Sequence, residues 1–316
     1  MKARGVRLSS IQKEARAQFL EKVEKGEYRL RENRCLCGSS GGYVVAGHDR
    51  YGIDLITVLC SKCGLLRSDP YYTQETLSSF YAQEYRRLYS NEKKCSQTFF
   101  EDQNSIGTRV LDRINTEVKG RTVFEIGCGA GGILKVFQDA GAEVSGCDYD
   151  QDYLEFGRQQ GLELLHGGIS AMKRSTRADI VILNHVLEHV VEPGFFLKQI
   201  RAVMKEDALL YLSVPCIETI PEWYEYDLYT YLQNAHVFNY SCVTIVSLLK
   251  STGFSLYKKV GLDSFIFKLD NNVLIKGPFY EINKAEFIRT LLRLFKYEIK
   301  YRFRQCIKKD PDKCTG

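Results

Sequence analysis

A short apolar run that ends in an acid and is followed by alternating glycines constrains this 316-residue chain more than any other feature. Residues 123–126 are typical of a buried strand, and Gly127, Gly129 and Gly131 follow before an apolar-periodic helix that begins near Ile133. Glycine lets the backbone approach a ligand closely because it has no Cβ. A strand, a glycine turn and a helix in this order predict a nucleoside-binding cradle on a βα unit.

A second acid lies where such a cradle needs one. Asp148 ends the next predicted strand, at 143–147, and a carboxylate in that place accepts hydrogen bonds from ribose hydroxyls. The glycine spacing, E-x-G-x-G-x-G, differs from the G-x-G-x-x-G of pyrophosphate-binding loops. Glu125 beside the loop repels phosphate but suits a sulfonium amino acid, so the pattern favours S-adenosylmethionine (SAM) over a dinucleotide. Simple capping of the following helix is the alternative interpretation of Asp148.

Beyond residue 120, predicted strands and helices alternate, which favours a mostly parallel sheet covered on both faces. The predicted strands are 122–126, 143–147, 162–165, 180–183, 208–214 and 255–260, with a last strand or edge hairpin at 263–267 and 272–276. The predicted helices of this part are 131–140, 151–159, 193–204 and 241–250, with a loop at 205–207 before the fifth strand. Two further helices are predicted upstream, at 73–89 and at 99–118. In these motifs and their order, residues 70–277 resemble class I SAM-dependent methyltransferases. The resemblance implies a Rossmann-like α/β fold with a seven-stranded, mostly parallel sheet.

The same resemblance extends the candidate cofactor site. The His-Gly-Gly-Ile segment that contains Gly168 and Ile169 follows the third predicted strand, where the family's loop meets adenine. Tyr149 directly follows the ribose-binding acid, and Asn184 ends the fourth predicted strand. The resemblance implies that Tyr149 contacts the cofactor and that Asn184 borders the methionine part of SAM.

Residues 185–190 (His-Val-Leu-Glu-His-Val) resemble the family's motif after strand four, as in SAM enzymes of quinone biosynthesis and of sugar modification. The resemblance implies that His189 is the base for the acceptor, oriented and made more basic by Glu188. His236 is the reserve base, and Tyr85 is a candidate for acceptor contact or proton relay. Packing in the core is the alternative for each residue, and H-x-x-E-H also spells a signature of inverted zinc proteases.

Four of the eleven cysteines are spaced as metal ligands. Cys35-x-Cys37 and Cys60-x-x-Cys63 are each followed by glycine, and four thiolates satisfy tetrahedral Zn²⁺. The second pair is typical of a rubredoxin-like knuckle, whereas the first is tighter than the usual C-x-x-C; buried cysteines without metal are the alternative. A zinc module before a SAM domain resembles sugar C-methyltransferases and methyltransferases of surface-polysaccharide gene clusters.

Five parts are expected along the chain. They are a helical extension at 1–32, a zinc-binding module at 33–70, a helical linker or lid at 71–120, the SAM-binding domain at 121–277 and a basic amphipathic helix at 278–316. The segment from Lys284 to Lys309 contains nine Lys or Arg residues but only two Glu residues. Such a helix can lie on an anionic membrane or dock on the body of the protein with a solvated basic face.

Composition narrows the class of protein. The formal net charge of +5 is too mild to indicate a nucleic-acid partner. No apolar run approaches the ~20 residues of a membrane helix, and the N-terminus does not resemble a secretory signal. Eleven cysteines in this context favour reduced thiols and a cytoplasmic location, with the inner face of the membrane as a site of peripheral contact.

These observations predict a SAM-dependent methyltransferase with structural zinc and a His general base. Its expected acceptor is a small molecule: a sugar, a nucleotide sugar or a surface-glycan precursor. One alternative is an O-methyltransferase of a lipid or quinone-type intermediate. The other is a zinc-ribbon binding protein whose SAM fold is not catalytic.

Overall fold

The structure is a computed structural model that describes residues 4–89, 94–172, 177–272 and 283–309. Its helices are α1 (Ser10–Glu24), α2 (Gln74–Gln83), α3 (Tyr85–Tyr89), α4 (Gln97–Ile114), α5 (Gly132–Asp139), α6 (Gln151–Gln159), α7 (Pro193–Val203), α8 (Ile220–Trp223), α9 (Leu228–Tyr231), α10 (Cys242–Ser251) and α11 (Lys284–Lys309). Its strands are β1 (Leu30–Arg31), β2 (Gly42–His48), β3 (Asp54–Cys60), β4 (Leu66–Ser68), β5 (Tyr71–Tyr72), β6 (Thr122–Ile126), β7 (Glu143–Asp148), β8 (Glu163–His166), β9 (Ala178–Asn184), β10 (Met204–Ser213), β11 (Phe238–Asn239), β12 (Phe254–Lys259) and β13 (Ser264–Leu269).

Seven strands form the central sheet in the order β12-β13-β10-β9-β6-β7-β8. Strand β13 runs antiparallel to both of its neighbours, and the other pairs are parallel. The strand order reverses beside β6, so the carboxyl end of β6 opens onto a crevice, the usual ligand site of such sheets. The predicted Rossmann-like fold with a mostly parallel seven-stranded sheet is confirmed.

The central strands are buried on both faces because they are continuously apolar. Val123, Phe124 and the run 180–183 have no exposed surface, as expected of parallel strands that are covered by helices on each side. The sequence pattern therefore located these strands to within a few residues.

Three predicted segments near the domain's edges differ from the structure or lie partly outside its described residues. The expected loop at 205–207 is instead the exposed start of β10, where the pairing register shifts between Met204 and Leu209. The helix expected from residue 99 to 118 is α4, which ends before Asn115 because that residue has a left-handed φ of 48°. Of the edge strand predicted at 272–276, residues 273–276 lie outside the described residues.

A break after α2 interrupts the long helix predicted at 73–89. Glu84 has a φ of −111° there, and its carboxylate accepts a hydrogen bond of 2.6 Å from the Tyr28 hydroxyl. Lys22 forms an ion pair with the same buried carboxylate. These two partners both come from the segment around α1, so α1 fixes the position of the predicted lid.

The cysteine-bearing module is interleaved with the SAM-type domain. Its four-stranded sheet has the order β11-β4-β3-β2. Strand β11 belongs to the later part of the chain, between strands β10 and β12 of the central sheet. Strand β1 pairs with β5 across the expected boundary at residue 32. The parts expected at 33–70 and 121–277 therefore share a sheet, which a linear division of the chain does not predict.

Helix α11 docks by one face and exposes the other. Glu286, Thr290, Leu294 and Tyr297 are buried against the body. The opposite face exposes seven large apolar side chains: Ile288, Leu291, Leu292, Phe295, Ile299, Phe303 and Ile307. Among the described residues, none of the helices has both the length and the apolar character that crossing a bilayer requires.

Candidate active site

The glycine loop after β6 has the backbone conformation that its sequence predicted. Gly127, Gly129 and Gly131 have φ values of 73°, 55° and 76°, in the left-handed region that favours glycine. A Cβ on Gly127 would lie 2.5 Å from Cγ2 of Val186, and one on Gly131 would lie 2.8 Å from Leu162. Side chains at these positions would therefore fill the cradle or collide with its walls.

Asp148 ties the second strand to the glycine loop. Its Oδ2 accepts a hydrogen bond of 2.9 Å from the Gly129 amide, and its Oδ1 accepts one of 2.9 Å from the Asp150 amide. The following helix is capped by Asp150, whose side chain accepts from the Tyr153 amide. Asp148 is thus not the capping residue, and each of its oxygens keeps a lone pair for a ligand hydroxyl.

Glu125 is a buried acid next to the loop. Its side chain is 2% exposed, and its Oε2 has no hydrogen-bond partner among the described residues. Burial, together with the nearby charge of Asp148, raises the pKa of Glu125 well above its ordinary value. An orphaned buried carboxyl is the group that a cationic ligand would satisfy, so this residue fits the sulfonium and ammonium charges of SAM.

Gly127, Gly129 and Asp148 line a cavity of about 1510 Å³ together with four other predicted cofactor residues, Tyr149, Gly168, Ile169 and Asn184. Glu125 and Gly131 are not among the described residues that line it. Tyr149 is 72% exposed at its mouth, where a Cβ on Gly168 would lie 2.6 Å from the tyrosine hydroxyl. Ile169 is buried beside it, and Asn184 lies at the end of β9. The structure thus brings together the predicted residues of the glycine loop, the ribose site and the adenine loop.

Sequence reasoning missed Arg86, which reaches over the glycine loop from α3. Its Nε donates to Asp150 at 3.2 Å, and its guanidinium carbon lies 4.2 Å from the centre of the Tyr153 ring. The Nη2 atom lies 3.7 Å from the place that a Cβ on Gly129 would occupy. The Tyr85-Arg86-Arg87 sequence in the predicted lid was the available signal, but its partners are more than sixty residues away.

At the other end of the cavity, the segment after β9 clusters acidic and imidazole groups. Residues 187–189 form one short 3-10 turn, so the H-x-x-E-H run does not form the helix of a zinc protease. His185 Nδ1 lies 3.5 Å from Glu188 Oε1, and His189 Nε2 lies 3.9 Å from the same oxygen. The ligand atoms of Glu188, His189 and His236 all lie within 4.8 Å of one another.

A backbone carbonyl orients His189. Its Nδ1 is 3.0 Å from the carbonyl oxygen of Ala235, which assigns the proton to Nδ1 and leaves a lone pair on Nε2. The sequence suggested that Glu188 orients His189, but the two side chains are not hydrogen-bonded, since His189 Nε2 lies 3.9 Å from Glu188 Oε1. His236 lies behind this ring at a centroid distance of 5.0 Å and is not among the described residues that line the cavity.

The pKa values of the four side chains in this cluster shift in different directions from their ordinary values. Burial lowers the pKa of His189 despite the neighbouring carboxylate. Burial and the charge of His189 lower the pKa of His236 to about 3. Burial opposes the ionisation of Glu188, but the His185 contact and the nearby imidazoles outweigh it and lower the pKa of Glu188 to about 2. Conversely, the Glu188 contact raises the pKa of His185, whose side chain is 45% exposed, against the partial desolvation of its ring.

Three tyrosines of the lid occupy different positions. Tyr85 lines the cavity, stacks on Tyr89 at 4.7 Å and contacts His189 edge-on at 5.9 Å. Tyr89 is committed elsewhere, since its hydroxyl donates to Asn234 at 2.7 Å and accepts from the Ala235 amide at 3.0 Å. Tyr81, which shares the helical spacing but was not predicted as a site residue, lines the cavity with a buried hydroxyl that has no partner among the described residues.

The four predicted zinc ligands converge. Sγ of Cys35 lies 3.3 Å from Cys63 and Sγ of Cys37 lies 3.6 Å from Cys60, and all four sulfurs are within 4.8 Å of one another. These distances exceed the roughly 2.05 Å of a disulfide. They approach the separation of about 3.8 Å that four sulfurs have around zinc with Zn–S bonds of about 2.3 Å. The donor set therefore fits a structural Zn²⁺.

The cysteine module and Tyr71, which directly follows it, hold residues 234–236, the segment behind the His189 ring. Ser68 donates from its hydroxyl to the His236 carbonyl at 2.9 Å, and Tyr71 donates to the Ala235 carbonyl at 2.8 Å. Asp49 accepts from the Asn234 amide at 3.0 Å. Residues 234–236 are thus held by the module, and the Ala235 carbonyl in turn contacts His189.

Comparison with known proteins gives this geometry a family. The model of a family described as a methyltransferase domain matches residues 97–259, more than half of the chain. Among curated proteins, the chain is 29% identical over 109 residues to a ubiquinone biosynthesis O-methyltransferase of Haemophilus ducreyi and 26% identical over 121 residues to that of Bordetella avium. These matches cover 30% and 35% of the chain, and 45% and 49% of the relatives, so the chain spans about half the length of these curated relatives.

One solved structure with a similar fold is the 1,6-didemethyltoxoflavin-N1-methyltransferase of Burkholderia thailandensis with bound S-adenosylhomocysteine. It is 14% identical, with a TM-score of 0.47, and the match covers 69% of this chain and 96% of that one.

Proposed function

The chain belongs to the family of SAM-dependent methyltransferases, and on that premise we propose that it transfers a methyl group from SAM to a small molecule held against His189. The observation that carries the proposal is one cavity that is lined by Gly127, Gly129 and Asp148 at one end and by His189 at the other. SAM, when bound, supplies a methyl group already activated by its sulfonium for in-line displacement. The protein then needs only to align the two reactants and accept a proton.

The cofactor end would hold SAM through groups of complementary charge. The Asp148 oxygens would accept from the ribose hydroxyls, and Glu125 would offset the positive charges of the methionine part. Arg86, above the glycine loop, is the available cation for a ligand carboxylate. Tyr149, Gly168, Ile169 and Asn184 would complete the walls around the adenine and methionine parts.

At the acceptor end, His189 would act as general base. Its Nδ1 contact with the Ala235 carbonyl leaves Nε2 to accept a proton, and its lowered pKa keeps the ring neutral near pH 7. His236 would support the ring from behind. The Tyr85 ring and the Tyr81 hydroxyl, which has no partner among the described residues, would contact the acceptor. An apolar face beside a polar group suits a sugar or a ring alcohol.

For the acceptor we favour a sugar, a nucleotide sugar or another surface-glycan precursor. Support comes from the lid tyrosines on the cavity and from the cysteine module, which resembles that of sugar C-methyltransferases. A phenolic quinone intermediate is the second candidate, and the named activity of the curated relatives favours it. A non-catalytic binding protein is the least favoured alternative, because Gly127, Gly129, Asp148 and the polar acceptor end all line one cavity.

We also propose that Cys35, Cys37, Cys60 and Cys63 bind structural Zn²⁺. The convergence of four sulfurs, three of them buried, supports this assignment. The proposed ligands are distant in sequence from the glycine loop. The ion would stabilise the pairing of β3 with β4, and β4 in turn pairs with residues 238–239.

Helix α11 is proposed to contact an anionic membrane peripherally. Its exposed apolar stripe is bordered by cations, since Lys296 and Lys300 each follow a stripe residue by one position, 100° around the helix. The wild-type protein should sediment with phosphatidylglycerol vesicles but not with phosphatidylcholine vesicles. Phe295→Ser should reduce the fraction that sediments with phosphatidylglycerol vesicles, whereas the control Glu298→Gln should not reduce it. Retained binding, or a concentration-dependent dimer that Phe295→Ser abolishes, would contradict a lipid partner.

The acceptor proposal is tested by label transfer from methyl-labelled SAM. The panel should contain nucleotide sugars, lipid-linked sugars and catechol-type quinol precursors, each with wild-type protein and with His189→Ala. Label in a sugar that depends on His189 is the expected result. Label only in the quinol precursors would replace the favoured acceptor with the second candidate, and label in neither despite measurable SAM binding would contradict both.

A further inference from the structure

A second group of reactive side chains lies outside the cavity, where the segment after β10 meets the start of α10. Cys216 is fully buried and Cys242, the first residue of α10, is half-buried. Their sulfurs and a Glu218 oxygen lie within 4.8 Å of one another. Lys259, on β12, places its Nζ 3.2 Å from the Cys242 sulfur.

This environment favours thiolate chemistry over metal binding. Both Glu218 oxygens are engaged, one with Arg293 at 3.1 Å and the other with the Cys242 amide at 3.1 Å. The Lys259 ammonium adjoins the sulfur, and a second cation there would be repelled. Among the described residues, the group therefore lacks the open donor set that the zinc-type cluster offers.

The same features make Cys242 the more nucleophilic of the two thiols. A cation at hydrogen-bond distance and a helix N-terminus both favour a thiolate. Contact with Cys216 and Lys259 lowers the pKa of Cys242, whereas the Cys242 contact and burial raise the pKa of Cys216. As a thiol, Cys242 donates instead to the Leu262 carbonyl at 3.2 Å, so the protonated form also has a partner.

We infer that Cys242 and Cys216 form an oxidisable dithiol, in which Cys242 reacts with peroxide and Cys216 resolves the product to a disulfide. In the first step the Cys242 thiolate attacks a peroxide oxygen. An S–O bond forms, the O–O bond breaks and hydroxide leaves, which gives a sulfenic acid. In the second step the Cys216 sulfur attacks the Cys242 sulfur, the S–O bond breaks and the Cys216 proton departs with the oxygen as water.

The balance is two thiols oxidised and one peroxide reduced to two waters. The disulfide would close a covalent loop over residues 216–242. That loop contains His236 and the aromatic segment before it, so the modification would brace the wall behind the acceptor end. The dithiol itself is independent of the proposed methyl transfer.

The sequence allows a direct test on the 316-residue chain purified with added zinc. No Lys or Arg lies between Cys216 and Cys242, so both occur in one tryptic peptide, residues 206–250. Treatment with a small excess of hydrogen peroxide, then alkylation and mass mapping, should give this peptide two hydrogens lighter and unalkylated. The change should precede any at Cys306, an exposed thiol on α11.

Two variants and a control sharpen the result. Cys242→Ser should abolish the mass change, and Cys306→Ser should leave it intact. Lys259→Met should slow iodoacetamide labelling of Cys242 about fivefold at pH 7, since it removes one adjacent charge. The inference is overturned if Cys306 reacts first in wild-type protein, or if peptide 206–250 keeps both thiols while other cysteines oxidise. The wild-type map alone decides this even where a variant fails to fold.

Discussion

The cofactor end and the acceptor end of the cavity are built in different ways. The cofactor end comes from one stretch, residues 126–169, in which the turns after β6, β7 and β8 line the cavity with their backbone and Asp148 adds a carboxylate. The acceptor end combines the lid and the segment after β9, and His189 there is oriented by residues 234–236, which contact the cysteine module. One end is therefore local in sequence, whereas the other depends on contacts between distant segments.

This difference implies that damage to the two ends should be separable. A change in the glycine loop should weaken SAM binding without affecting the cysteine module. A change in the module should displace Ala235, whose carbonyl orients His189, even though no cysteine of the module lines the cavity.

The largest effect is expected from removing two of the four proposed zinc ligands. The double variant Cys60→Ser, Cys63→Ser should lose bound zinc and, with it, solubility, because structural zinc supplies on the order of 10 kcal/mol of folding free energy in small modules. Metal content and the soluble fraction are the measurements, with Cys306→Ser as the matched control at an exposed thiol. A soluble double variant with an unchanged thermal midpoint would show that metal does not hold the module.

Replacing the proposed base should separate chemistry from cofactor binding. His189→Ala should reduce turnover of the accepted substrate by roughly 10²- to 10⁴-fold, the usual contribution of a general base. The Kd for SAM should stay within about twofold, since among described residues the Nδ1 partner of His189 is Ala235 and not the glycine loop. His166→Ala is the control at the cofactor end, beside Tyr149. Equal losses of turnover and SAM affinity in His189→Ala would assign His189 to the cofactor site instead.

The cofactor end of the cavity could be predicted from the sequence much further than the acceptor end, because its contacts are local in sequence. The glycines, Asp148 and the apolar strands act through neighbours in sequence, so spacing and periodicity sufficed to predict them. The two-residue strand β11 has no periodicity to detect, and it exists because β4 pairs with it. Tyr81 and Tyr89 share a helical stripe, yet Tyr89 alone bonds Asn234, 145 residues further on. Spacing could not distinguish a tyrosine that is committed to the fold from one that faces the cavity.

A smaller, pH-dependent effect should be confined to the acceptor end. The Glu188 pKa of about 2 lies below its ordinary 4.5, so its stabilising contribution is present above pH 4.5 and is lost as the pH falls toward 2. The His185 pKa is raised above 6.5, so its contribution is present below pH 6.5 and is lost as the pH rises through the raised value. The pair should therefore stabilise the fold most between these two limits.

Glu188→Gln tests this expectation. The variant should lower the free energy of unfolding by about 1 kcal/mol near pH 5.5, because solvent screens a pair whose His185 side chain is 45% exposed, and by less near pH 3 and near pH 9. Denaturant unfolding at the three pH values is the measurement, and the surface variant Glu155→Gln should show no such maximum. A difference that is constant with pH would mean that the Glu188–His185 contact does not titrate as an ion pair.

The most direct test of the central claim is calorimetric titration of SAM into the wild-type protein and into Asp148→Ala. The account predicts one site per chain in wild-type protein and a Kd about 10- to 100-fold higher in the variant, because hydrogen bonds to a charged group are lost. Asp139→Ala, an exposed acid on α5, should bind SAM as wild type does. An absence of binding in wild-type protein, or an unchanged Kd in Asp148→Ala, would contradict the assignment of this loop to SAM.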